Sequence, residues 1–414
     1  MEFKKVTLGE ISINSRGYYG IGASAVDFDP ELPTYLRITD INDDGSLNKD
    51  NLKSINEEDY EKYILKENDI VFARTGNSTG RNYFYEKKDG LLVFAGFLIK
   101  FSLDKEKVFP KYIKYVCQSK EYWGWINSIA TGSTRKNINA KMYEKMPIFL
   151  PEEKTQEKIV TLLESLDSKI EINNKIISNL ESQAQAIFKS WFVDFEPFQD
   201  GDFVESELGM IPEGWEVKSL SDIAFFKNGL AMQKYRPEIN DPSLPVLKIR
   251  ELNSGSTDFS SDRCRTDIDD SVKVYDGDLI FSWSGTLSCK LWTGGNAGLN
   301  QHLFKVTSEK YEKWFNYSWV KFHMNEFIRI AQDKATTMGH IKRSHLDEAK
   351  VLIPTIDIYE KIDKLMKPII ELIIKLGIQN TKLAELRDAL LPKLMAGEID
   401  VSNIKIEGEE VKNE

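Results

Sequence analysis

The 414-residue chain is poor in the residues that metal and redox chemistry most often use, with three cysteines and four histidines. Cys117, Cys264 and Cys289 are odd in number and far apart, which excludes a disulfide framework and a CxxC metal clip and predicts reduced, buried thiols. His302, His323, His340 and His345 do not stand at ligand spacing with carboxylates, and Glu348 reads as a helix-start residue, so no metal site is expected. The sequence has no GxxxxGK(S/T) phosphate loop, HExxH, Gly-x-Ser-x-Gly elbow or dinucleotide GxGxxG. It also lacks an Asn/Asp-Pro-Pro-aromatic motif of the kind that holds an amino group for methyl transfer. Glu152-Glu153-Lys154 contains a fragment of a nuclease ExK pattern, but acids in a helix's first turn complement its dipole, and the structural reading is preferred. No run approaches a membrane span; the richest, Ile369 to Lys375, carries Glu371. The start MEFKKVTLGEI lacks a secretory signal, and a cytoplasmic protein away from membranes is expected.

Positive charge is also in deficit, with a formal net charge of −10, which at first sight argues against nucleic acid. Its location removes the objection. Residues 193–207 carry six acids and no base, and residues 398–414 carry six acids against Lys405 and Lys412. These two stretches account for the whole −10, leaving the remainder neutral and free to segregate its charges into faces.

What the chain does have is a second copy of itself. Met-Pro-Ile-Phe-Leu-Pro ending at Pro151 matches Ala-Lys-Val-Leu-Ile-Pro ending at Pro354, and Ile159 matches Ile362, both 203 residues on. Leu65 to Phe72 matches Val274 to Phe281 at an offset of 209, and Leu36-Arg37-Ile38 matches Leu247-Lys248-Ile249 at 211. A slowly drifting offset means two homologous halves with small loop insertions. Residues 1–150 and 213–354 are rich in aromatic and β-branched residues, in short apolar runs between Gly/Asn/Ser turns, and read as strand-dominated α+β heads. After Pro151 and Pro354 the Gly and Pro nearly vanish for about 35 residues, Pro368 and Gly377 excepted, and residues 151–195 and 355–395 read as long helices. Residues 196–212 form an acidic linker and 396–414 an acidic tail.

The helices carry a coiled-coil seam. Ile159, Leu163, Leu166, Ile170, Asn173, Ile177, Leu180, Ala184 and Ile187 step by four and three, as do Ile362, Met366, Ile369, Ile373, Leu376, Asn380, Leu383, Arg387 and Leu390. Some 36 residues make a rod of roughly 54 Å, too long and narrow in its stripe to pack mainly on its own head. The two rods are expected to pack on each other, antiparallel, because a parallel pair would require the linker to retrace nearly its full reach. The predicted object is a pseudo-twofold dumbbell suited to a split ligand such as DNA with two half-sites. Asn173 and Asn380 either fix register or are merely exposed.

The heads place DNA-facing residue types at matching turns. In the first, Arg74, Asn77, Ser78, Thr79 and Arg81 follow an apolar strand, and Ser133, Thr134, Arg135, Lys136 and Asn137 precede the closing strand. In the second, Trp283 and Ser284 occupy the first place and Thr336, Thr337, His340, Lys342 and Arg343 the other, with Lys248 and Arg250 nearby in sequence at the repeated Leu-Lys-Ile. Arg and Asn can pair with guanine and adenine edges, while Ser, Thr and Gly-rich backbone suit phosphates. Singly each reads equally well as an ordinary solvated loop or a binding turn; recurrence at equivalent points favours binding. Tyr112, Tyr115, Tyr122, Trp123, Trp125, Trp314, Phe315, Tyr317 and Trp319 fall near helical spacing and read as core.

Three segments carry a family resemblance. Glu207-Leu-Gly-Met-Ile-Pro-Glu-Gly-Trp-Glu-Val-Lys218 resembles the entry to a target-recognition domain in specificity subunits of Type I restriction-modification systems. Ala184 to Phe195 resembles the end of their central helix, and Leu386 to Ile399 their C-terminal one. The first head begins without the Pro-Glu-Gly-Trp lead. The resemblance implies two pseudo-twofold-related target-recognition domains joined by an antiparallel coiled coil, with no catalysis in this chain. Each head would read half of a bipartite double-stranded DNA target, the helices would fix the spacing, and the chain would be a scaffold for two modification subunits and for restriction subunits. S-adenosylmethionine, ATP and Mg would belong to those partners. The competing readings are a coiled-coil interaction adaptor without base specificity and an autonomous nuclease with a cryptic site.

Overall fold

The computed structural model describes residues 2–129, 137–333 and 339–404. It divides into two compact units, Met1–Leu166 with Leu386–Glu414, and Asp167–Glu385.

In the first unit, Lys4–Thr7 pairs antiparallel with Pro147–Leu150, so the two ends of the head's sequence close it. Between them lie two four-stranded sheets. The antiparallel one runs Tyr18–Tyr19, Leu98–Ser102, Asp69–Ala73, Asn82–Phe84. The mixed one runs Val26–Asp27, Lys53–Ser54, Thr34–Leu36, Leu92–Phe94, its last pair parallel. Asp69–Ala73 is buried along its whole length, which is why it reads as a continuous apolar run and not an alternation. Asp69 tolerates burial because Lys100 Nζ stands 3.1 Å away and its carboxylate accepts from Lys66 N and Ser102 Oγ.

The second unit repeats this design. Glu216–Ser219 pairs with Lys350–Ile353. The antiparallel sheet runs Phe225–Asn228, Leu303–Thr307, Leu279–Ser282, Ser288–Leu291, and the mixed one Arg263–Arg265, Ser243–Leu247, Ala297–Leu299, Lys273–Val274. The ion pair recurs, half-buried, as Asp278 with Lys305 at 2.7 Å. Single hydrogen bonds recur as well. Gly20 N donates to Leu98 O as Gly229 N does to Leu303 O, and Ile21 N to Phe94 O as Leu230 N to Leu299 O. Ala95 N donates to Leu36 O as Asn300 N does to Leu247 O. Glycine is required at this crossing: a Cβ on Gly20 would lie 2.3 Å from Ala95 O, and one on Gly229 2.2 Å from Leu299 O.

The long helices are Glu153–Phe192 and Ile356–Met395. In the first unit Ile159, Val160 and Leu163 share a core with Leu391, Leu394 and the head's Ile148 and Leu150. In the second, Asn173 meets Gln379 and Asn380, while Phe192 at the other end packs on Trp314, whose Nε1 donates to Asp363. The helices therefore run antiparallel there. Along the seam Leu163, Asn173, Met366 and Ile373 are buried, and Leu166, Ile170, Ile177, Leu180, Ile369, Leu376, Asn380 and Leu383 are half-buried. Asn173 is fully buried, its Nδ2 donating to Gln379 Oε1 at 2.9 Å and Asn380 Oδ1 at 2.8 Å, while Asn380 Nδ2 donates to Asn174. The register reading of these residues thus has a cross-helix network behind it. Toward its end the first helix departs from the heptad: Ala184, Phe188 and Phe192, at steps of four, are buried, and Ile187 is half-buried. The neighbour there is the aromatic core of Trp314, Phe315 and Trp319, whose position sets the contact face. Gly377 marks a close approach of the head, since a Cβ there would lie 2.7 Å from Thr293 Oγ1, and Thr381 Oγ1 donates to Thr293 O.

Two expectations need correction. Residues 196–212 are not simply a linker: Phe203–Ser206 and Gly209–Pro212 form a hairpin, and Phe195 and Phe198 pack on Trp215. The acids dominated the charge count, but the interspersed aromatics anchor the segment to the core. Glu348 ends the helix Arg343–Glu348 and does not start it. The thiols are free and buried, and the tyrosines and tryptophans read as core are buried or packed against it.

Candidate nucleic-acid interface

In each head the fully buried central strand delivers the chain to a sharp turn, and the loop before the closing strand returns to meet it. In the first head Thr75 bridges Asn137, and Ile138 N donates to Arg74 O at 2.8 Å. In the second Ser284 bridges His340, and Ile341 N donates to Trp283 O at 3.0 Å. Ile138 and Ile341 are buried, so each loop is pinned by an apolar anchor beside the residue it presents. The two turns singled out by sequence thus meet in both heads through the same backbone bonds.

The side chains differ. Arg74 lays its guanidinium 4.8 Å from the Tyr19 ring centroid, and its N donates to Phe97 O. Trp283 occupies the equivalent place, its ring 5.9 Å from His302 and 6.4 Å from His340. Ser284 Oγ lies 3.1 Å from His302 Nδ1. Tyr19 and Phe97 were not singled out from sequence, and His302 was weighed only as a metal ligand, because they stand in separate segments that only the sheets bring to the loops. The recurrence of Gly20-Ile21 as Gly229-Leu230, at the offset of 209 already seen for the central strands, was the available signal.

The other sequence-derived residues are distributed as follows. Asn77 and Ser78 lie in the turn Gly76–Ser78, and Thr79 is buried with its hydroxyl donating to Gly76 O. Arg81 is held by Asp43 at 2.6 Å and donates to Ile41 O. Lys248 is paired with Asp262, whose carboxyl this hydrogen bond holds below the ordinary range. Arg250 bonds Glu251, at 2.7 Å, and Ser260. Lys248 N donates to Glu251 as Arg37 N does to Asp40, so both heads use this position as a helix-start cap. Lys342 is exposed, and Arg343 turns back to donate to Phe226 O while lying over Phe304. Ser133, Thr134, Arg135, Lys136, Thr336 and Thr337 lie outside the described residues.

Among the described residues no group of three His, Cys, Asp or Glu side chains is placed to hold a metal, and no helix is long and apolar enough to cross a membrane. The two heads thus share a frame of duplicated backbone bonds, while the side chains on their paired loops differ. The family described as Type I restriction modification DNA specificity domain matches residues 2–182 and 212–386, and the chain belongs to it. It is 31% identical over 320 residues to the Type I restriction enzyme MjaIX specificity subunit of Methanocaldococcus jannaschii, covering 73% of this chain and 72% of that one. It is 23% identical to the HindI specificity subunit of Haemophilus influenzae, covering 82% and 88%. In fold it is similar to the crystal structure of a Type I restriction-modification S subunit from M. genitalium, with a TM-score of 0.54 at 14% identity over 95% of this chain and 96% of that one. The chain is a DNA-recognition subunit of this class.

Proposed function

We propose that each head reads one half of a bipartite double-stranded DNA target, that the paired helices fix the gap between the halves, and that the chain acts in the cytoplasm without catalysing a reaction itself. Methyl transfer from S-adenosylmethionine belongs to two modification subunits assembled on the chain, and ATP- and Mg-dependent cleavage to restriction subunits. The observation that supports this reading best is the duplicated loop pair. Thr75 with Asn137 and Ser284 with His340 share their backbone bonds, and Arg74 stands where Trp283 does in the other head. One frame bearing two sets of side chains suits two different half-sites. The test is exchange of residues 213–354 for the corresponding region of a relative, with methylation mapped across a genome. One half of the target should change while the other half and the gap stay as they were; a change in both halves would overturn the model.

A further inference from the structure

The turn that carries the chain from the mixed sheet into the antiparallel one reaches the loop pair in both heads. Equivalent hydrogen bonds fix it, Leu98 N to Ala95 O in the first and Leu303 N to Asn300 O in the second, which makes Phe97 and His302 counterparts. They behave differently. His302 folds back over Trp283 with both ring nitrogens engaged, Nδ1 3.1 Å from Ser284 Oγ and Nε2 3.2 Å from Gln301 Nε2. Phe97 instead projects outward with 61% of its surface exposed, between a buried Leu98 and a Gly96 whose N is bonded to Ile21 O. The ring is therefore held out by a rigid turn beside Arg74, its neighbour through the Arg74 N to Phe97 O bond.

A phenyl ring has no use for a phosphate and cannot hydrogen-bond a base edge. The apolar feature that the major groove offers is the thymine C5-methyl group. We propose that Phe97 is a specificity-determining residue that contacts a thymine methyl in the half-site read by the first head, a contact without counterpart in the second, where His302 is turned inward. This rests on the half-site reading above. Arg74, bonded through its backbone to Phe97, would supply a polar contact beside it.

The test uses the full chain assembled with its modification subunit and a duplex carrying the mapped target, with each thymine of the half-sites replaced in turn by uracil. One thymine-to-uracil change in the first half-site should weaken wild-type binding about fourfold, the scale of a lost methyl contact. Phe97→Ala should weaken binding of the natural duplex by the same factor and show no further loss with the uracil duplex, while Phe97→Leu, still apolar, should keep most of the affinity. Unchanged binding by Phe97→Ala, indifference to uracil, additive losses, or a loss of subunit assembly in place of DNA affinity would each overturn the assignment. A wild-type complex with no preference for a bipartite duplex would sink the half-site reading beneath it, and a preference insensitive to every thymine methyl would sink the Phe97 assignment alone.

Discussion

The two heads agree where the backbone must satisfy itself and differ where it meets solvent. Asp69 with Lys100 and Asp278 with Lys305, Gly20 and Gly229, and the caps at Arg37 and Lys248 are the same devices twice, each settling a buried or half-buried charge or a close backbone approach. At the paired loops Arg74, Phe97 and Asn137 stand against Trp283, His302 and His340. The difference teaches that interior polar groups constrain the frame tightly, because each carries a desolvation cost if left unpaired. A loop held by a few backbone bonds leaves its side chains free to diverge.

The comparison can be broken most severely at the crossing glycines. If Gly20 and Gly229 are the same device, Gly20→Ala and Gly229→Ala should both destabilise by more than about 3 kcal/mol, the upper range for overpacking, since the atoms met are backbone carbonyls that cannot rotate away. Urea unfolding monitored separately on the two units would check it; a tolerated alanine at one site would show that the heads are not equivalent there.

A middle-sized effect is expected at the loops. Arg74→Ala should cost about 1–3 kcal/mol of binding if the guanidinium pairs with a base, with discrimination lost in the first half-site only. Trp283→Ala should relax only the second. Binding measured across salt concentrations separates the alternative: uniform weakening with a reduced salt slope would mark Arg74 as a phosphate contact.

The smallest effect concerns His323, on the helix Lys313–Asp333 of the second head. It is buried, its Nε2 is 2.7 Å from Lys350 O, and burial holds its pKa below the ordinary value, so it folds neutral. With the folded pKa depressed, the unfolded chain binds more protons below the ordinary histidine pKa of about 6.5, and stability falls as pH drops through that window. Glu326 on the same helix, 4.0 Å from Nδ1, opposes the shift. Thermal midpoints between pH 7.5 and 5.5 should decline for the wild-type chain and decline less for His323→Gln, which keeps a donor for Lys350 O.

The sequence by itself determined the duplication, the two heads, the long helices and the seam, because each is written in local periodicity: continuous apolar runs for buried strands, steps of three and four for the rods, and repeats at a drifting offset. It also placed one pair of turns, Arg74 with Asn137 and Trp283 with His340, at matching points. Tertiary structure decided the rest. Which face the first helix buries near Phe188 depends on an aromatic core contributed by residues more than 120 positions away, and no periodicity within the helix encodes it. The acidic stretch after Phe192 folds because Phe195 and Phe198 find Trp215, a contact that charge counting conceals. Phe97 reaches the loop pair only because the two sheets cross at Gly20, and a side chain's neighbours across a sheet are fixed by strand order, which residues close in sequence do not specify.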